Sequence, residues 1–309
     1  VGSENLKVLV TGAGGFIGRN LVEALAAEHE VYGLTRRELD LLDADAVRDF
    51  FSRRRIDVVV HAAVKDVSRT DPEPKDYYPD NMRMFFNLER ALPETASLFF
   101  LGSGAAYSRP HWRPKMTENY FGEFIPQDSY GFAKYSISKV VEHRSNMVDL
   151  RVFGVFGKYE NYRFKFISNA ILKNLLHMPI VIAQDVVFDY LYIDDLARIV
   201  LRLLAIRDRI PYRQINVTPT RSCTLTQVAR MINAAGDFKS EIIVSNPGLG
   251  REYSGDNQRL LEVLGGYEFG DLQEAIRDLR GYYAERLAEL DTEAIRRDEY
   301  LASCLGKTR

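Results

Sequence analysis

Tyr130-Gly131-Phe132-Ala133-Lys134 sets a phenol and an ammonium four residues apart, which on a helix stacks them on one face about one turn from each other. An unperturbed tyrosine, with a pKa of about 10, exchanges protons poorly at neutral pH. A neighbouring positive charge favours the phenolate and brings the group toward a useful range. Tyr130 could then trade a proton with a hydroxyl or a carbonyl oxygen. Taken alone, the spacing is common and reads equally as a surface contact. Ser103 supplies company. It stands just past an apolar run, Leu-Phe-Phe-Leu at 98–101, at the carboxyl end of an expected strand, where open α/β sheets bind ligands. Its hydroxyl could share the substrate oxygen with Tyr130; the structural alternative is a turn serine between Gly102 and Gly104.

A second signal lies upstream, where residues 11–18 read Thr-Gly-Ala-Gly-Gly-Phe-Ile-Gly. Gly12, Gly15 and Gly18 permit a tight turn, close backbone approach to a pyrophosphate and close helix–strand packing, with Phe16 and Ile17 opening a helix whose N-terminus faces the phosphate charge. Glycine clusters alone are weak evidence, but here the required strand precedes and the required helix follows. A dinucleotide site is expected. About 20 residues on, an NAD site usually places an acid for the ribose 2′-hydroxyl. This chain has Thr35-Arg36-Arg37 instead. Two guanidinium groups can hold a 2′-phosphate, so NADP is preferred over NAD, against the alternative of two solvated surface arginines. Asp40 could bond the adenine amino group while Leu41 covers its face. The positive ring of an oxidised nicotinamide would add to the lysine's pull on the Tyr130 phenolate.

These residues need elements to hold them. Strands are expected at residues 7–10, 31–34, 58–60, 98–101 and 150–153, alternating with helices at 16–25, 46–51, 82–92 and 130–145. Apolar strands with helical crossovers imply a parallel, doubly wound sheet, an α/β fold. Beyond residue 158 the order loosens. A helix at 166–176, strands at 180–183 and 188–193, and a helix from 194 behind an Asp cap come next. A strand at 215–217 could return to the main sheet. Helices at 225–234, 258–264 and 272–290, with a strand at 241–244, read as a smaller C-terminal α/β lobe. The division expected is 1–157 for the nucleotide-binding part, with returning segments near 185–220, and 158–184 with 221–309 for the substrate lobe. The charged tail from Asp291 reads as a solvated helix, and Val1-Gly2-Ser3 as an expression remnant.

Composition narrows the class. The 309 residues are 46% hydrophobic and 27% charged, with a formal net charge of −2, which suits a soluble globular protein and gives no field for polyanions such as nucleic acid. Cys223 and Cys304 are the whole cysteine complement, so neither a disulfide framework nor a cysteine-rich zinc site is expected, and a reducing cytoplasm fits best. His29, His61, His111, His143 and His177 lack metal-ligand spacing, so no metal is expected. No apolar run reaches the about 18 residues of a membrane span, and no basic segment followed by an apolar core suggests a secretory signal.

Taken in order, these motifs resemble the extended short-chain dehydrogenase/reductase family of nucleotide-sugar epimerases, dehydratases and ketoreductases, over residues 7 to about 276. The glycine turn is similar to its phosphate turn. His61-Ala62-Ala63 looks like its segment after the third strand, and Asn81 opens the next helix. Ser103 precedes Tyr107 as in its Ser-x-x-x-Tyr block, and Tyr130 with Lys134 resembles its active pair. Residues 150–157 and 189–195 are similar to two further family stretches, but with Gly154 where relatives usually have Asn and Phe188 where they have Arg. The resemblance implies a Rossmann fold and a homodimer through the helices near 82–92 and 132–145. It further implies that Lys134 holds the nicotinamide ribose, that Ala62 and Asn81 line the cofactor, and that the lobe grips a nucleoside diphosphate sugar. With the usual Asn and Arg absent, Arg163, Lys165 and Arg251 are candidates for the phosphate grip, and Trp112 for lining the sugar pocket or anchoring its own loop.

Gly104 and Ala105 stand where family dehydratases carry an Asp-Glu pair, and Ala105 where fucose-synthase relatives carry a proton-transferring Cys, so 4,6-dehydration and double epimerisation are both disfavoured. Residues 36–43, Arg-Arg-Glu-Leu-Asp-Leu-Leu-Asp, and Leu101-Gly102-Ser103 look like segments of fucose-synthase-type reductases. The resemblance therefore implies an oxidoreductase that takes hydride from NADPH to a 4-keto sugar. The alternative is an NAD-dependent 4-epimerase using the same residues; a non-catalytic NADP-binding regulator is the third reading.

Overall fold

A computed structural model describes residues 5–65 and 78–305. The first half alternates as its patterning demands: β1 (Lys7–Thr11), α1 (Phe16–Leu25), β2 (Glu30–Leu34), α2 (Ala44–Arg53), β3 (Val58–His61), α3 (Tyr78–Ala91), β4 (Ser97–Ser103), α4 (Ser129–Val141) and β5 (Met147–Val152). Next come β6 (Gly154–Phe156), α5 (Phe166–Leu175), β7 (Ile180–Asp185), β8 (Val187–Phe188), β9 (Tyr190–Tyr192), α6 (Ile193–Ala205) and β10 (Gln214–Val217). The chain closes with β11 (Cys223–Thr224), α7 (Leu225–Ala234), β12 (Ile242–Leu249), α8 (Gln258–Leu264), α9 (Leu272–Glu285), α10 (Thr292–Arg296) and α11 (Glu299–Leu305). Local chemistry starts several of these. Asp43 caps α2 by accepting from the Asp45 and Ala46 amides, and Thr224 with Gln227 forms a reciprocal capping box on α7.

Six strands form one sheet in the order β2, β1, β3, β4, β5, β10, every pair parallel. Period-2 alternation sends Val8 and Val10 to one face and Leu9 to the other. The first face is covered by α1, α6 and α8 through Leu21, Leu25, Leu196, Leu203, Leu260 and Leu264; the second by α2, α3 and α4 through Val47, Phe85, Leu88, Ile137 and Val141. Each fully buried Val, Leu or Phe is worth about 1.5–3 kcal/mol, so a sheet dry on both faces is held firmly. The chain winds outward from β1 to β2 and then crosses back to β3. That reversal opens a crevice at the carboxyl ends of β1, β3 and β4, which are Thr11, His61 and Ser103. The doubly wound α/β fold is therefore observed, together with smaller sheets: β7 with β12, β8 with β11, and β6 with β9. A separate core joins α5, α7, α9 and α10 around Ile171, Val228, Ile276 and Ile295.

Four local expectations are corrected. The strand expected over 188–193 is broken into β8 and β9, because Asp189 between them is fully buried and spends its carboxylate on Lys115, Thr218, Ser222 and the Gly255 amide. The N-cap of α6 is Tyr192 rather than an aspartate; Asp194 and Asp195 sit inside the first turn, where they complement the helix dipole. Helix α9 stops at Glu285 instead of reaching 290. The tail is no solvated helix. It buries Ala294 and Ile295, and pairs Asp298 with Lys173 at 2.7 Å. In addition α8, read as part of the lobe, packs into the core of the main sheet. Among the described residues no helix is long and apolar enough to cross a membrane.

Candidate active site

The glycine turn is shaped by close approach. Gly12 has φ +71°, and a Cβ there would lie 2.7 Å from the Ala63 Cα; a Cβ on Gly18 would lie 2.2 Å from the Gly12 carbonyl oxygen. Only hydrogen fits at either place. Gly15 is the N-cap of α1, its amide donates to the Gly12 carbonyl at 2.9 Å, and no described side chain caps the helix. With no acidic residue in the first turn, amides opening at Phe16 and Ile17 are left to an anion, and the cradle fits a pyrophosphate. Thr11 Oγ1 accepts from the Ala63 amide at 3.2 Å, which holds Ala62 and Ala63 at the mouth of the crevice.

Beside the turn lies a cavity of about 170 Å³ lined by Gly12, Arg36, Asp40, Leu41, Ala63 and Met84, among others. Asp40 accepts from the Leu42 amide at 3.0 Å and from Arg36 Nε at 3.3 Å; the backbone bond first, then the guanidinium, hold its carboxyl below the usual range. The Arg36–Asp40 pair is exposed and therefore weak, so the guanidinium can turn to a phosphate at little cost. Thr35 gives both its amide and its hydroxyl to Glu38, each at 2.8 Å, and this turn presents Arg36 and Arg37 to solvent.

Ser103 ends β4 and begins a 3-10 turn over Gly104–Ala106, its Oγ accepting from the Ala105 amide at 3.1 Å. Tyr130 lies in the first turn of α4, which Asp128 caps by accepting from the Gly131 amide at 2.8 Å. A Cβ on Gly131 would lie 2.7 Å from the Ala105 carbonyl oxygen, so glycine lets the helix press against the turn that follows Ser103. Lys134 is buried. Its Nζ donates to the Leu101 carbonyl at 2.7 Å and lies 5.8 Å from the Tyr130 ring centroid. Tyr130 and Lys134 share a small cleft with His61, Asn81 and Phe100. Burial, then the charge of Lys134, push the His61 imidazole down to about 3, so it is neutral; its Nδ1 lies 2.8 Å from Thr11 Oγ1. Asn81 pins the adjoining backbone, donating to the Lys65 carbonyl at 2.7 Å and accepting from its amide at 2.9 Å.

A model of the NAD dependent epimerase/dehydratase family matches residues 8–218. The chain belongs to that family. Over 296 residues it is 26% identical to the GDP-L-fucose synthase of Escherichia coli (strain K12), spanning 85% of this chain and 90% of that protein. Over 205 residues it is 29% identical to the UDP-glucose 4-epimerase of Neisseria meningitidis serogroup B, spanning 55% of this chain and 59% of the epimerase. Its fold matches a GDP-L-fucose synthetase from Naegleria fowleri bound to NADP, with a TM-score of 0.80 over 93% of this chain and 96% of that one, at 17% identity.

Within this epimerase/dehydratase scaffold, the candidates for the substrate phosphates do not converge. Arg163 turns to the tail, its Nε 3.0 Å from Glu299, and Lys165 is an exposed N-cap of α5. Arg251 donates to the Arg109 carbonyl at 3.2 Å, in the loop between Ser103 and Tyr130. Trp112 serves as the loop anchor, giving its Nε1–H to the Tyr107 carbonyl at 2.7 Å. Gly154 has no room for the family's usual Asn, since a Cβ there would lie 2.5 Å from the Asp189 carbonyl oxygen. Phe188 instead joins an aromatic group with Tyr190 and Tyr253.

Two contributors escaped the sequence reading. Arg151, fully buried, donates to Asp149 at 3.0 Å, to the Tyr107 hydroxyl at 3.1 Å and to Ser138 at 2.7 Å. Ser138 is one turn beyond Lys134 on α4, so this network braces the helix that carries the Tyr-Lys pair. Tyr253 comes in from the lobe side, its hydroxyl oxygen 2.4 Å from where a Cβ on Gly104, next to Ser103, would lie. Arg151 lies in the family-like stretch 150–157, which does not point to these partners, and no local motif marks Tyr253.

Proposed function

We propose that this protein reduces the 4-keto group of a nucleotide-activated, 6-deoxy type sugar with NADPH. The observation that carries the reading is the sharing of one cleft by Tyr130 and Lys134, on a helix pressed against the turn that follows Ser103 at the carboxyl edge of the sheet, beside a glycine cradle and a cavity bearing Arg36. The nicotinamide, when bound, supplies the hydride. Tyr130 gives its phenolic proton to the alkoxide forming at C4, and Lys134 stabilises the phenolate left behind. Ser103 donates a hydrogen bond to the same oxygen, aimed at where charge develops. The neutral His61 adds no competing positive charge beneath the lysine. Gly12, Gly15, Gly18 and the amides at Phe16 and Ile17 would hold the pyrophosphate, Arg36 a 2′-phosphate, Asp40 and Leu41 the adenine, and Ala62 and Asn81 the nicotinamide side. Arg251 is the best supported of the three substrate candidates, with Lys165 next and Arg163 last. A homodimer through α3 and α4 fits the exposed Phe132, which stacks on Tyr78 at 4.9 Å.

Support for reduction over 4-epimerisation comes from Arg36 on the cavity wall, and from a likeness to GDP-L-fucose synthase that runs along most of both chains, whereas that to the UDP-glucose 4-epimerase covers about half. The test is to purify the protein, identify any retained dinucleotide by mass, and offer NADPH with GDP- and UDP-linked 4-keto-6-deoxyhexoses. NADPH consumption with one of them supports the proposal. Retained NAD with no NADPH consumption would favour the epimerase, and a Tyr130→Phe variant with undiminished turnover would overturn the catalytic assignment.

A further inference from the structure

We propose that Arg151 is a positioning residue for the reduction, a single guanidinium that ties the turn carrying Ser103 to the helix carrying Tyr130 and Lys134. This inference rests on the catalytic reading above and adds to it a fully buried group that acts only through others.

A guanidinium is planar and offers five N–H donors in a fixed fork, so it can hold several groups at set separations. Here each nitrogen has its own partner. Nε donates to Asp149 at 3.0 Å, Nη1 to the Tyr107 hydroxyl at 3.1 Å and Nη2 to Ser138 Oγ at 2.7 Å. Both hydroxyls then donate onward, Ser138 to Asp149 Oδ2 and Tyr107 to Asn216 Oδ1 on β10 at 2.9 Å. Asn216 is itself fixed, its amide donating to Glu118 at 2.7 Å and its Nδ2 to the Met116 and Asp256 carbonyls at 2.9 and 3.1 Å. Arg151, Asp149, Ser138, Tyr107 and Asn216 are all buried, and charge-assisted bonds kept from water are both strong and directional.

Both ends of the fork reach the chemistry. Ser138 is one turn beyond Lys134 on α4, and Lys134 Nζ donates to the Leu101 carbonyl of β4 at 2.7 Å, so two successive turns of the helix are fastened to the sheet. Tyr107 closes the turn that Ser103 opens, its amide donating to the Gly104 carbonyl at 3.1 Å. Strand β4 is shaped to admit the network. A Cβ on Gly102 would overlap Asp149 Oδ1, an oxygen with no hydrogen-bond partner among the described residues, so only glycine lets the strand close on this carboxylate. Gly102 stands opposite Arg151 in the parallel register, between Leu101, which holds Lys134, and Ser103. Phe121, from the loop between Ser103 and Tyr130, covers the guanidinium with its ring centroid 3.7 Å from Cζ. A fork held in this way fixes the two supports of the reacting groups against each other, which is what a precise site requires of the residues behind it.

The experiment cuts the fork at each end and reads kcat, using NADPH and whichever 4-keto-6-deoxy nucleotide sugar of the panel the wild type reduces. Ser138→Ala removes the link to the helix and Tyr107→Phe the link to the turn, while both leave Arg151 on Asp149. Arg151→Lys removes the fork itself, Tyr130→Phe is the reference, and thermal melting is the check on folding. Each single cut should lower kcat about tenfold with the sugar KM changed less than about twofold, because a small misplacement of reacting groups slows the chemistry more than it weakens binding. Either cut breaks the same tie, so the double variant should lose no more than the larger single loss. Arg151→Lys should match the double variant, and where it fails to fold the other two decide. Full turnover by either single variant, losses that multiply in the double, or a lower melting temperature with kcat unchanged overturns this inference, while an inactive Tyr130→Phe leaves the function standing. A wild type inert toward the whole panel, or an active Tyr130→Phe, overturns the function and this inference with it.

Discussion

The Lys134 ammonium lies 5.8 Å from the centroid of the Tyr130 ring while donating to the Leu101 carbonyl on β4 at 2.7 Å. The helix is thereby keyed to the strand that ends in Ser103. Removing the charge from this arrangement should be costly. Lys134→Met and Tyr130→Phe should each lower kcat for NADPH-dependent reduction by about 10²–10⁴, as loss of a general acid or its electrostatic support does. Following NADPH absorbance measures it, with melting temperature as the control for folding.

Gly12→Ala places a methyl group 2.7 Å from the Ala63 backbone at a positive φ. The strain is worth about 1–3 kcal/mol, and the turn must open to relieve it. Weaker NADPH binding, read by quenching of protein fluorescence, should accompany a lower melting temperature. Unchanged affinity would mean that this turn does not touch the dinucleotide.

Arg36→Gln removes a charge from the wall of the cavity without disturbing the core, since the side chain is exposed. A hydrogen bond to a charged group is worth about 1.5–3 kcal/mol, so the preference for NADPH over NADH should fall by roughly ten- to a hundredfold. NADH affinity should stay as it was. Equal losses for both cofactors would show that Arg36 does not read the 2′-phosphate.

Glu160 sits in the lobe core with Ser168 donating to one oxygen, while the other, Oε2, has no hydrogen-bond partner among the described residues. Burial pushes its carboxyl from 4.5 up to about 7. The folded chain therefore holds this proton more tightly than the unfolded chain between those values. Its stabilising contribution is complete below 4.5 and is lost as pH rises through 7, by about 3 kcal/mol at most. Melting temperatures of the wild type should fall between about pH 5 and about pH 8 by more than those of Glu160→Gln. Parallel slopes for the two would remove Glu160 as the cause.

Local pattern alone determined much of this protein. The alternating strands and helices of the first half, the turn at Gly12, Gly15 and Gly18, and the i, i+4 pairing of Tyr130 with Lys134 each depend on neighbours within a few residues, so type and spacing suffice to read them. Longer reach defeated that kind of reading. Glu299 comes beside Arg163 from far along the chain, and the charged tail buries Ile295. Tyr253 bears no motif, and the family-like stretch that holds Arg151 does not name its partners. Asp149, Tyr107 and Ser138 meet Arg151 only once β5 is packed under α4, and Tyr253 reaches Gly104 only once the lobe has folded back over the edge of the sheet. Which residues carry protons is written in short spacings, because helices and strands repeat on that scale; which way those protons point depends on contacts between distant segments, which form only when the chain is compact.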